Sequence, residues 1–599
     1  MPSRLINGRT TLARLLRQPS PPTCARSVAT ISKTAEMLKA TSPVAQQLLE
    51  TGIWNRRVGK RANGAPKAIE PHRVNIVSEG LCDDVIKYLG TSLERHRGCD
   101  LVDLNPGVGL WSRKLHDFLE PRNHIMMDLD AKLYSPYLED LTSKKNVQLI
   151  PKSGIIWKDL FEMIQTKLSH QEVLANGETE PRRNDTLLVT ANLSTFPKKS
   201  FLGFDSISTM VIYQFMSSIK SSSLFQKYGL VRMLLWVNDD EKRRLIPKSI
   251  NRRKRGSFEA EMACEWVHEV AGQELEAESR HTLRDEWINK ESGLNTLARM
   301  QAKGLQVPKG RESKAYKDSL KSIDLMGKKL AGVYVPKVAR PFKKELEDLE
   351  QEFEEEQMGL LPDRLKALRS RERYEAGHYN MFLEMLQEHE RVSAMAAEDP
   401  VAFEKANEAW NEKIDNMKKN QRMEFNVLRD GYHLFRQSPP ALLWDRREYE
   451  PLTAMPDEFF PNAPTALLDI QPKAMHPLLR QIGPNSNHAG DISDIMLRSW
   501  WNQSILPASK TMESLWPGFG DLITEVPSLR DYRRGGTPLT GHGSLSARSI
   551  NEGQWIELLD AWMRWPFKPT YGQMLGRMSE DDGEWEEDDV RSGATAYTS

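Results

Sequence analysis

Residues 103–109 read Asp-Leu-Asn-Pro-Gly-Val-Gly, "DLNPGVG". The apolar run Asp100–Leu104 leads into them and a helix-forming stretch, "LWSRKLHDFL" (110–119), follows. Strand, glycine turn and helix in that order is the arrangement of a nucleotide-binding loop; the alternative is a Rossmann-type fold that binds no ligand. Glycines let the backbone turn sharply and come close to a ligand. An acidic residue closing the next strand bonds a ribose diol, and a polar residue after the third strand reads the base. Gly107 and Gly109 meet the first need, and Asp128 in "HIMMDLD" is placed for the second. Asn105 stands where an acidic-x-G-x-G-x-G pattern beginning at Asp103 has its first glycine. Asparagine tolerates a left-handed backbone better than most residues, so the turn is expected to survive.

Working outward, residues 75–270 alternate short apolar runs with helical periodicity. The expected strands are Asp100–Leu104, Asn123–Met127, Val147–Ile150, Thr186–Thr190 and Val231–Val237, each separated by enough chain for a crossover helix. That rhythm predicts an α/β fold with a mostly parallel sheet. In such sheets ligands sit at the carboxyl ends of strands, where the glycine loop falls. Lys plus Arg equal Asp plus Glu at 83 each, so a basic surface must be local. Cys24, Cys82, Cys99 and Cys264 lack CxxC spacing, which argues for free thiols and against a zinc site or a disulfide framework. No apolar run reaches the roughly 18 residues of a membrane span, and no HExxH, Walker loop or Ser/His/Asp pattern supports a hydrolase. Arg4, Arg9, Arg14, Arg17 and Arg26, with no acid before Glu36, predict a mitochondrial presequence over 1–35 and a matrix location; the alternative is a disordered basic tail.

"DLNPGVGLWSRKL" resembles the first motif of the class I methyltransferases that dimethylate adenines of small-subunit ribosomal RNA. "LLVTANLS" (187–194), "KYGLVRMLLWV" (227–237) and "WMRWPFKP" (562–569) narrow the resemblance to one branch of that superfamily, the fungal mitochondrial transcription factors of the mtTFB class. It covers roughly 75–270 and 460–575 and implies a Rossmann-like methyltransferase fold that serves mitochondrial RNA polymerase at promoter DNA. Against the enzymes' Asn-(Leu/Ile)-Pro-(Tyr/Phe), this chain has Asn192-Leu193-Ser194-Thr195, with Phe196 one place late. The amide remains while the stiffening proline and the base-stacking ring are displaced. Ser153 in "LIPKSGIIW" stands where the enzymes present an aspartate, and the segment that caps the cofactor has no counterpart in "KRANGAPKAIEPHRVN" (60–75). Each lost hydrogen bond to a charged group removes roughly 1.5–3 kcal/mol, so two weaken binding on the order of 10²- to 10⁴-fold. Asp103, Asn105, Gly107, Gly109, Asp128, Ser153 and Asn192 are therefore expected to be a vestigial S-adenosylmethionine site, with no cofactor or metal required. The alternatives are an active ribosomal RNA adenine dimethyltransferase using Asn192, and a structural component of the mitochondrial ribosome.

"KRRLIPKSINRRKR" (242–255) carries eight cations and no acid, a pattern suited to phosphate contact. Arg243, Arg244, Lys248, Arg252, Arg253, Lys254 and Arg255 are the candidate nucleic-acid residues; the alternative is a solvated loop. A smaller cluster, Arg56, Arg57, Lys60 and Arg61, lies beside Trp54. The expected organisation is a Rossmann-like domain over 50–274, a charged helical insertion over 275–440, a return to the main domain over 441–490, a small helical C-terminal domain over 491–578 and an acidic tail over 579–599. In the insertion Phe342, Leu346, Leu349 and Phe353 form one apolar stripe, read as a helical hairpin or short coiled coil that packs on the main domain or a partner, or else a spacer. Trp555, Leu558, Leu559 and Trp562 share the core face of a late helix that Asn551 caps.

Overall fold

The computed structural model describes residues 36–52, 72–174, 180–198, 200, 204–273, 284–338, 340–355 and 362–577. The presequence, the Arg56–Arg61 cluster and the acidic tail lie outside the described residues.

An eight-stranded sheet organises the molecule, in the order β10-β9-β12-β8-β6-β3-β4-β5. Its strands are β3 (Asp100–Leu104), β4 (Asn123–Met127), β5 (Val147–Ile150), β6 (Arg183–Asn192), β8 (Leu230–Asn238), β9 (Cys264–Gly272), β10 (Leu452–Thr453) and β12 (Thr465–Pro472). The short strands β1 (His72–Arg73) and β2 (Asn75–Ile76) pair antiparallel with β7 (Thr195–Phe196) and β11 (Phe459–Phe460). From β5 to β8 all neighbours are parallel, and β12 runs antiparallel between β8 and β9. This is the α/β, mostly parallel sheet expected from the sequence. Strand order reverses beside β3, with β4 on one side and β6 on the other, so the switch-point crevice lies outside the carboxyl ends of β3 and β6. The pairs Arg183↔Leu230 and Asn184↔Val231 extend β6 and β8 beyond their apolar centres.

Helices cover both faces, which is why β3 is buried along its whole length. On one face α1 (Pro43–Glu50), α2 (Glu79–Leu93), α3 (Leu110–Leu119) and α4 (Ala131–Thr142) share a core with Leu101, Met126, Leu188 and Leu234. On the other, α5 (Trp157–Lys167), α6 (Ile207–Ser221) and α7 (Arg255–Ala263) pack on Val102, Val189 and Met233. That second core runs without a break into Trp500, Trp555, Leu558, Leu559 and Trp562 of the C-terminal helices. Phe258 contacts both Trp501 and Trp555, at centroid distances of 5.8 and 6.0 Å. Among the described residues, the apolar faces of the C-terminal helices share one core with the sheet's outer helices. Asn551 caps the helix Glu552–Arg564 by accepting from Gln554 N.

Between β9 and β12 the chain makes a long helical excursion. Helix α8 (Glu286–Ala302) packs back on the main domain, with Met300 in the same core as Tyr449 and Leu452. In α9 (Pro341–Glu355), Phe342 and Leu346 bury against Leu365 and Leu368 of α10 (Asp363–Met395), with Leu349 and Phe353 packed alongside. The remainder of α10 joins α11 (Pro400–Asp415) and α12 (Lys419–Arg436) around Phe382, Trp410 and Phe425. Leu539 of the C-terminal segment lies in that core, and Arg429 donates to the His542 and Ser544 carbonyls. Cys82, Cys99 and Cys264 are buried free thiols, as the spacing predicted, and burial raises the pKa of each.

Candidate functional site: the switch-point crevice and the basic run

The glycine loop has the backbone its sequence implies. Asn105, Gly107 and Gly109 have φ of +59°, +61° and +71°, left-handed conformations that asparagine and glycine accept. Asp128, at the end of β4, is fully buried, and its Oδ2 accepts from Arg73 Nη1 at 2.5 Å and from Gly107 N at 3.2 Å. Its Oδ1 accepts from Asp130 N at 2.9 Å. The Arg73 guanidinium also lies 5.2 Å from the centre of the Tyr134 ring. Burial alone would lower the Arg73 pKa; the nearby Asp128 carboxylate outweighs it, leaving it above the ordinary value. Asn75 Oδ1 accepts from Val108 N at 3.2 Å, and a Cβ on Gly107 would come within 2.2 Å of that oxygen.

Across the crevice Asn192 ends β6. Its Nδ2 donates to the Val74 carbonyl at 2.9 Å, its Oδ1 accepts from Ser194 N at 3.2 Å, and its own carbonyl accepts from Asn105 Nδ2 at 3.3 Å. Ser153 is buried, with Oγ accepting from Ile155 N and its backbone N–H donating to Asp159 Oδ2. This turn carries Gly154 so close to β3 that a Cβ there would lie 3.0 Å from Leu104 Cβ and 3.1 Å from Asn105 Oδ1. Asp103 points elsewhere, with Oδ2 3.5 Å from His124 Nε2 in a buried cluster with His116. The fold thus gathers Asn105, Gly107, Gly109, Asp128 and Asn192 around one crevice, brings the Ser153 turn down on it and leaves Asp103 beneath it. S-adenosylmethionine needs a carboxylate available to its ribose and an amide available to the methyl acceptor. Asp128 and Asn192 are both held by internal partners, so the residues as arranged do not fit the cofactor.

The basic run divides in two. Lys242 is buried between Asp239 and Glu269, at 2.5 Å from each, and these acids raise its pKa against the opposing effect of burial. Arg253, expected as a nucleic-acid contact, is instead 1 % exposed. It forms a two-pronged pair with Glu261, donates to the Arg548 and Ile550 carbonyls, and lies 5.1 Å from the Phe258 ring centre. A guanidinium enclosed in that way cannot reach a phosphate, so Arg253 leaves the predicted patch. Arg255 pairs with Glu259 and donates to Tyr213 Oη, and Arg244 pairs with Asp205. Arg243 is half-buried; Lys248, Arg252 and Lys254 are exposed, with Lys248 Nζ 4.1 Å from the Trp444 ring centre. Arg253 fixes this segment to residues 548–550, and Arg548 also donates to Asn251.

Residues 85–273 match the family model of ribosomal RNA adenine dimethylases. The chain is also similar to Mitochondrial transcription factor 1 of Lachancea kluyveri, with 22% identity over 156 residues, 26% of this chain and 42% of that protein. It thus spans well under half the length of that curated relative. A dimethyladenosine transferase from Plasmodium falciparum aligns over 47% of this chain and 90% of its own, at 14% identity and a TM-score of 0.22.

Sequence reasoning passed over Arg73, Val74 and Asn75, which do most to shape the crevice. They lie in "HRVN", at the end of the stretch set aside because it lacked the enzymes' capping segment. Alternation of Arg73 and Asn75 about an apolar residue was the one available signal, since it puts two polar side chains on the same side of a short strand.

Proposed function

We propose that this protein is a non-catalytic mitochondrial transcription factor, which recruits the single-subunit mitochondrial RNA polymerase and stabilises the opened promoter in the matrix. The observation that carries this reading is the similarity to a protein named Mitochondrial transcription factor 1, reaching a chain whose Asp128 and Asn192 are already engaged internally. The exposed cations of the basic run, Lys248, Arg252 and Lys254, supply phosphate contacts, and Arg253 acts as the anchor that presents them. No cofactor is needed for such a role. Run-off transcription with purified mitochondrial RNA polymerase tests it. The protein is expected to be required on double-stranded promoter DNA and dispensable on a pre-melted bubble; equal transcription with and without it on duplex DNA refutes the proposal.

The match to ribosomal RNA adenine dimethylases and the retained Asn192 favour a second reading, methylation of mitochondrial small-subunit ribosomal RNA. Methyl transfer from labelled donor to an adenine-bearing RNA hairpin would establish it.

A further inference from the structure

The three residues Arg73, Val74 and Asn75 contact both ends of the crevice at once. Arg73 engages the ribose-type acid Asp128, and Asn75 covers the Val108 amide beside the glycine turn. Between them the Val74 carbonyl takes the Asn192 amide, while Val74 N donates to the Ser194 carbonyl at 2.9 Å. The segment is held in place on both sides, β1 by Thr195 and Phe196, β2 by Phe459 and Phe460. Asn75 Nδ2 additionally donates to Tyr134 Oη at 3.4 Å.

We infer that residues 73–75 are an internal ligand that substitutes for both methyl donor and methyl acceptor, and that Arg73 is the residue that excludes the donor. Asp128 Oδ2 already accepts from Arg73 and Gly107, so a ribose diol can bond both carboxylate oxygens only by displacing a guanidinium that neutralises the acid in a buried site, where an unpaired charge is costly. The left-handed glycine turn and the buried acid that follows β4 are both in place. Arg73 is therefore the contact that bars the ribose, on top of the changes at Ser153 and in the capping segment.

This inference concerns the same crevice as the proposed function but does not depend on transcription. The test is calorimetric titration of S-adenosylmethionine, and of S-adenosylhomocysteine, which lacks the sulfonium charge, into the full chain and its R73A variant, with folding checked by circular dichroism. The wild type is expected to bind neither at about 1 mM ligand, and R73A to bind both at least roughly tenfold more tightly than the wild type. Adding D128N to R73A should abolish the gain. If R73A does not fold, R73Q, which keeps a donor to Asp128 without the charge, is judged by the same criterion. Donor binding by the wild type equal to that of the variant overturns the inference, as does a folded variant with no gain. Failure of the wild type to support transcription would sink the proposed function and leave this inference standing.

Discussion

The glycine loop and the basic run both read as ligand sites, and the fold treats them differently. In the loop the polar groups that the sequence offers to a ligand, Asp128 and Asn192, are taken by residues 73–75. In the basic run burial divides the cations: Lys242 and Arg253 are enclosed with their acids, Arg255 is half-buried beside Glu259, and Arg252 and Lys254 are exposed. The difference follows from position. The loop sits at the switch point of the sheet, where two short strands from distant parts of the chain converge. The run borders α7, whose inner face meets the C-terminal helices, so alternate residues turn inward or outward.

The contrast is sharpest at neighbouring arginines. R253A leaves the Glu261 carboxylate buried without its partner and should cost about 3–5 kcal/mol in urea denaturation; R252A should cost less than about 0.5 kcal/mol. Equal losses would erase the division within the run. In the loop, G107A forces a left-handed alanine against Asn75 and should cost about 1–2 kcal/mol from backbone strain alone, measured the same way. A loss no larger than that strain would mean that residues 73–75 are not held against the turn, and a neutral result that the turn is not left-handed at Gly107.

The double variant R252A/K254A should fold normally and lower the slope of log affinity against log salt by about 1.8, two phosphate contacts at about 0.9 each. Fluorescence anisotropy with a labelled duplex measures it, and an unchanged slope removes the patch from the account.

Acidification should have the smallest effect near neutrality. Burial lowers His96, His116 and His268 from 6.5 to about 4, helped for His96 by Arg232 and for His116 by His124. Their folded pKa values lie below the unfolded ones, so the native state binds fewer protons, and stability is full above pH 6.5 and falls as pH drops toward 4. A urea midpoint that stays constant or rises from pH 6.5 to pH 4.5 would contradict that assignment.

The strands were legible because an apolar run between turn residues has few alternatives in a sheet covered on both faces. Asp100–Leu104, Asn123–Met127 and Val147–Ile150 form with the bounds their sequences suggest. The loop conformation was legible too, since φ preferences are properties of single residues, and Asn105 and Gly107 take the angles expected of them. The core role of Trp555 and Trp562 followed from helical spacing. Arg73 was not legible, because its partner lies 55 positions away and nothing local distinguishes a guanidinium that seeks a carboxylate from one that seeks solvent. The same holds for Arg253, whose acceptors include carbonyls 295 and 297 positions further on.

By itself the sequence determined the α/β class, the strand-end position of the glycine loop, the helical character of the insertion and the inward face of the last helix. These depend on periodicity and backbone preference, which act over a few residues. Only the tertiary structure decided that the crevice holds the chain's own Arg73, that the basic run is half internal, and that the insertion and the C-terminal segment share a core through Leu539. Those outcomes depend on which charges and apolar faces are brought together across hundreds of residues, where burial makes each pairing costly to leave unmade.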